Sequence, residues 1–215
     1  MKTRTHCQSG LSLVEVFIVI AVIVVLIFVL LPPLLVRNSI RRNPSIQCVN
    51  NLKQVGLAFM LWANDHNEQF PFASTNLKGS LSFATSPQVF RHFQALSNEL
   101  VTPKVLVCPT DGKRTKAVDF GRFSNANLSY FVGLDADESK PERLLGGDRN
   151  ITGGTLSNGF LRVLTPMSDA GWTSEMHNDA GNIGFSDGST MQATPRSLQQ
   201  MLQRNTGEII RLAIP

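Results

Sequence analysis

The 215 residues carry a formal charge of +4, with 42% apolar and 17% charged side chains. That length accommodates one medium domain plus an anchoring segment. The mild positive charge comes without any basic cluster interleaved with aromatics, which argues against a nucleic-acid partner, and the three cysteines show no metal or redox spacing of the C-x-x-C kind.

The first element is an apolar run from Leu11 to Leu31, preceded by Lys2 and Arg4 and interrupted by one acid, Glu15. About 21 residues at about 1.5 Å each would cross a hydrocarbon core of about 30 Å, so a transmembrane helix over 11–35 is expected. The leading basic residues hold the N-terminus in the cytoplasm and place the rest of the chain beyond the membrane. Arg37, Arg41 and Arg42 argue weakly the other way and could meet lipid headgroups. Pro32 and Pro33 follow the run where a cleaved secretory signal would need small residues. A carboxylate inside a bilayer-length helix costs about 2.5–3.5 kcal/mol at the centre, so Glu15 asks for a functional reason.

Ile46, Val49, Leu52, Val55, Gly56, Phe59 and Trp62 recur at helical spacing and predict an amphipathic helix from Ser45 to Asn64. Residues 64–86 show no period and read as loop. Ser86-Pro87 then opens a short amphipathic helix that ends before Pro103. Strands are expected at Val105–Cys108, Leu128–Leu134, Arg143–Gly147, Gly159–Leu164, Asn182–Phe185 and Thr190–Ala193. The last two flank Ser186-Asp187-Gly188-Ser189, a hairpin turn signal. Thr194-Pro195 starts a final helix through Gln203, with Gly207 as a stop.

Gly10-Leu11-Ser12-Leu13-Val14-Glu15 resembles the processing site of type IV pilins and type II secretion pseudopilins. The resemblance implies cleavage between Gly10 and Leu11 by a prepilin peptidase and methylation of Leu11. It also implies that Glu15 pairs with the N-terminal amine of a neighbouring subunit, and that Pro32 bends the helix. Leu11 stands where the family usually has Phe, and Ser12 where it often has Thr. Cys48-Val49-Asn50-Asn51-Leu52-Lys53-Gln54, Cys108-Pro109-Thr110-Asp111, and His177 with Asp187-Gly188 further on resemble a subgroup of pseudopilin-like proteins. The implied fold is α+β: a long N-terminal helix, transmembrane and then an amphipathic spine, packed on a small antiparallel sheet. The corresponding divisions are a leader at 1–10, a transmembrane helix at 11–35, a spine at 36–65 and a periplasmic domain at 66–215.

The implied cut removes Cys7 and leaves Cys48 and Cys108, an even pair. A disulfide between them would contribute about 3–4 kcal/mol on the chain-entropy model; the alternative is two separate buried thiols. Asp179, Asn182 and Asp187 could offer oxygen ligands to calcium, although the turn alone also explains Asp187-Gly188. No G-x-S-x-G pattern surrounds Ser168, Ser174 or Ser186, and His177 reads as a structural hydrogen-bonding residue pinning the hairpin. Asp148 reads as a turn residue or a partner for an arginine.

The resemblance therefore implies a structural, non-enzymatic pseudopilin-like subunit of a type II secretion or type IV pilus-like machine. Its partners would be the prepilin peptidase, other pseudopilin subunits, an inner-membrane secretion platform and the lipid bilayer. Its location would be single-pass in the inner membrane with the C-terminal domain in the periplasm. The rival is a membrane-anchored binding or hydrolytic domain using the His177–Asp187 loop.

Overall fold

The structure, a computed structural model, describes residues 13–41, 44–204 and 208–215, with the side chains of the first helix followed as far as Val29. The chain divides into two compact units, Met1–Asn43 and Pro44–Pro215.

The first unit holds α1 (Leu13–Arg41), whose only acid in the first turn is Glu15. Leu13 and Phe28 are about three-quarters exposed, and Val14, Phe17, Ile18, Val25 and Val29 more than half.

The second unit begins with α2 (Pro44–Asn64), which starts on a proline where a helix tolerates one. Short helices α3 (Phe90–Gln94) and α4 (Ser97–Leu100) follow. Among the described residues the strands are β1 (Tyr130–Gly133), β2 (Leu144–Asp148), β3 (Ile151–Thr152), β4 (Thr155–Ser157), β5 (Leu161–Leu164), β6 (Gly171–Trp172), β7 (Gly181–Phe185), β8 (Thr190–Ala193) and β9 (Ile210–Ala213), with α5 (Pro195–Arg204) between β8 and β9. Seven of them form an antiparallel sheet in the order β4-β5-β9-β1-β2-β7-β8, while β3 pairs with β6.

The central strands are buried on both faces, as the alternation of side chains along β1 makes plain. Tyr130 and Val132 enter the core shared with Leu52, Val55, Phe59 and Trp62 of α2. Phe131 points the other way, into the core built on Leu198 and Leu202 of α5. Around Phe59 the rings of Phe70, Phe72 and Phe93 pack edge to face at 5.7–6.1 Å between centroids, a geometry that adds to simple area burial. On the opposite face, Thr194 caps α5 by accepting from the Ser197 amide at 3.3 Å. Gly181 begins β7 directly under Trp172, where a Cβ would lie 2.3 Å from the indole.

The membrane arrangement expected from the sequence requires correction. Among the described residues, no helix is long and apolar enough to cross a membrane. The structure therefore conflicts with a single-pass inner-membrane chain whose N-terminus is cytoplasmic and whose domain is periplasmic. The fold expectation is corrected with it: α1 and α2 belong to separate units rather than to one spanning-then-spine helix, and the sheet is seven-stranded rather than small. Two local expectations also change. Residues 103–106 form a 3-10 turn, not a strand, and residues 86–100 contain two short helices instead of one.

Candidate functional site: a buried polar centre against a disulfide

β2 ends on Asp148 and β7 begins beside it, because Gly147 lies opposite Ile183 in the antiparallel register. Asp148 is fully buried. Its Oδ2 accepts the backbone N–H of Asn182 at 2.7 Å and the Asn182 amide at 2.9 Å. Burial nevertheless dominates and pushes the Asp148 carboxyl up to about 7, the two Asn182 hydrogen bonds opposing it and the charge of Asp111 reinforcing it.

His177 reaches this carboxylate from a segment with an unusual backbone. His177, Asn178 and Asp179 have φ of 53°, 52° and 59°, three consecutive non-glycine residues in the left-handed region. Each costs on the order of 1–2 kcal/mol, and such strain persists where surrounding structure imposes it, often at functional positions. The result here is specific: the His177 side chain is fully enclosed, with Nε2 3.3 Å from Asp148 Oδ2. The same nitrogen lies 3.0 Å from the Asn182 amide, 3.2 Å from Thr110 Oγ1 and 3.3 Å from Cys108 Sγ. Desolvation lowers the His177 pKa, so the ring is held neutral at neutral pH.

Cys108 is joined to Cys48 by a disulfide with Cα atoms 5.0 Å apart, tying α2 to the segment that precedes β1. Both cysteines are fully buried. Thr110 Oγ1 lies 3.0 Å from Cys108 Sγ and 3.8 Å from Cys48 Sγ. Two sulfurs, an imidazole nitrogen and a hydroxyl thus converge on one point, with a buried carboxyl behind the imidazole. Asp148 Oδ1, Asn182 Oδ1 and His177 Nδ1 are buried here without a partner among the described residues. Buried polar atoms are ordinarily satisfied, so three lying together leave hydrogen-bonding capacity in this centre.

A charged network borders it. Arg149 forks onto Asp111, Nε to Oδ2 and Nη2 to Oδ1, both at 2.8 Å. Ser129 donates to the same carboxylate at 2.9 Å. Burial works against the Asp111 charge, but the Arg149 fork and the Ser129 hydroxyl outweigh it and hold the carboxyl below its usual value. Glu175 bridges Arg149 at 3.2 Å and Lys113 at 2.5 Å. Arg149 therefore serves Asp111, leaving the adjacent Asp148 to the uncharged side of the site.

The three residues considered for calcium do not converge. Asn182 is buried against Asp148 and His177, Asp179 is exposed, and Asp187 is exposed in the β7–β8 turn, where Oδ1 accepts the Ser189 amide at 2.8 Å. The same placement separates His177 from Asp187: the imidazole faces the disulfide, and the carboxylate closes a hairpin. Gly10 and Leu11 lie outside the described residues, as does the Pro32 side chain; Glu15 is exposed on α1. The sequence reading of Asp148 is a turn residue or an arginine partner; the structure instead sets it, with Thr110, against His177. The one sequence signal for Asp148 was its position after Gly146-Gly147, where two glycines let a strand end be closely covered, and Thr110 stands between Cys108 and Asp111 with no signal of its own.

No protein-family model, no curated protein and no solved structure matches this chain.

Proposed function

We propose that the chain is a pilin-like assembly subunit, cleaved between Gly10 and Leu11 by a prepilin peptidase and packed through α1 against α1 of further copies in a fibre that serves protein secretion. The observation that carries this reading is α1 itself: it is apolar on every side and open to solvent from Leu13 to Val29. A helix apolar all round is a covered helix in its working state. Glu15, the single acid in that stretch, suits a registry charge, able to meet the new N-terminal amine of an adjacent copy. The globular unit then travels as the displayed head, stapled by its disulfide and two cores. The inward orientation of His177, away from Asp187, gives the hydrolytic alternative no support.

The experiment is co-expression of the full chain with a prepilin peptidase, followed by intact-mass analysis. A mature protein beginning at N-methylated Leu11, lost in Gly10→Val, supports the reading. A chain still beginning at Met1 beside an active peptidase overturns it.

A further inference from the structure

Cys48, Cys108 and His177 come from three separate places: α2, the segment before β1, and the left-handed turn ahead of β7. One ligand atom from each lies within 4.8 Å of the other two. A tetrahedral zinc site, with bonds of about 2.3 Å to sulfur and about 2.0 Å to nitrogen, has ligand-to-ligand separations of about 3.3–3.8 Å. Cys108 Sγ to His177 Nε2 is 3.3 Å, and Nε2 to Thr110 Oγ1 is 3.2 Å. Oγ1 stands 3.0 and 3.8 Å from the two sulfurs. These edges are already close to tetrahedral lengths; the sulfur–sulfur edge is instead a covalent bond.

We propose that this cluster is a redox-gated site for a zinc-class divalent cation, closed as a disulfide and opened by reduction. In the open form the thiolates of Cys48 and Cys108 and Nε2 of His177 bind the cation, with Thr110 marking the fourth position. Opening needs a two-electron reductant. A trialkylphosphine supplies it: the sulfur–sulfur bond breaks, phosphine and water become phosphine oxide, and each sulfur takes one proton. Cation binding then displaces both thiol protons. The charges suit the place, because two thiolates cancel a divalent cation and leave no net charge in a fully buried pocket. The strained turn at 177–179 has a role in this account, since it is what aims the imidazole at the sulfurs.

The test uses the full chain in a Cys7→Ser background, so that both remaining thiols belong to the site. Protein is reduced anaerobically with the phosphine, desalted and titrated with Co²⁺, then with Zn²⁺. The expected result is one cobalt per chain, with thiolate-to-cobalt charge transfer and the strong visible bands of four-coordination, displaced by one equivalent of zinc. His177→Gln should weaken cobalt binding at least about tenfold and alter the visible bands, and the oxidised protein should show none. Reduced, folded protein without the charge-transfer band overturns the proposal, as does a band unchanged by His177→Gln or present in the oxidised form. If reduction unfolds the chain, Zn²⁺ should restore its near-ultraviolet circular dichroism; failure to restore it also overturns the proposal.

Discussion

Asp148 Oδ2 accepts two hydrogens from one residue, the backbone and side-chain donors of Asn182, at 2.7 and 2.9 Å. This double contact fastens the end of β2 to the start of β7 at full burial. It also fixes which way the Asn182 amide turns, and so what His177 meets. Asn182→Ala should cost about 2–3 kcal/mol, because one hydrogen bond to a buried carboxyl disappears and its acceptor loses a donor that water cannot readily replace. Urea midpoints of the two proteins at one pH measure it. A difference under about 0.5 kcal/mol would mean that the Asn182 side chain does not hold Asp148 in place.

His92 carries the clearest pH dependence. It is fully buried, with Nδ1 2.8 Å from Ser80 Oγ, and desolvation brings its pKa from 6.5 down to about 4. The folded state thus prefers the neutral ring. Stability from this group is fully present above pH 6.5 and is lost as pH falls through 4, by about 3 kcal/mol in all. His92→Gln should flatten that part of the stability–pH curve. Denaturant titrations at several pH values between 7 and 4 check it, and a curve equally steep in the variant would assign the loss elsewhere.

Gly181 is fixed by space rather than by backbone freedom. An added Cβ meets the Trp172 ring at 2.3 Å, and the indole is itself packed in the α5 core. Gly181→Ala should therefore lower stability by about 1–3 kcal/mol, read as a lower thermal midpoint with a shifted tryptophan emission. An unchanged midpoint would show that the ring can move aside freely.

The disulfide closes a sequence separation of 60 residues. Replacing both cysteines by serine should cost about 4 kcal/mol on the chain-entropy model, and peptide mapping without reductant should recover the Cys48–Cys108 pair. Two alkylatable thiols at those positions in protein purified without reductant would contradict the bond.

Much of the local structure was legible in the sequence where one face of an element is buried. The apolar spacing from Ile46 to Trp62 marked α2 to within a residue, and β7–β8 lie where Ser186-Asp187-Gly188-Ser189 signals a hairpin. The short strands β3, β4 and β6 were not legible, since two or three residues carry no period. Ile210–Ala213 is not legible either: it is four residues long with one exposed side chain, Arg211, too short a stretch to establish a period. The site was harder still. Its parts lie at 48, 108–111, 148 and 177–182, and spacing along the chain says nothing of how the sheet brings them together. The left-handed backbone at His177 had no glycine to announce it. The transmembrane expectation rests on the apolar run from Leu11 to Leu31, whereas among the described residues no helix is long and apolar enough to cross a membrane.

In the proposed function, α1 assembles with copies of itself in a register set by Glu15. Losing one partner of a buried charge pair typically costs about 3–5 kcal/mol, so Glu15→Val should leave cleavage after Gly10 intact while abolishing assembly. The direct measurement is chemical crosslinking of the processed full-length protein, wild type against Glu15→Val, at matched expression with the peptidase present. The account predicts a ladder of oligomers from the wild type and monomer alone from the variant. Equal ladders from both would contradict it.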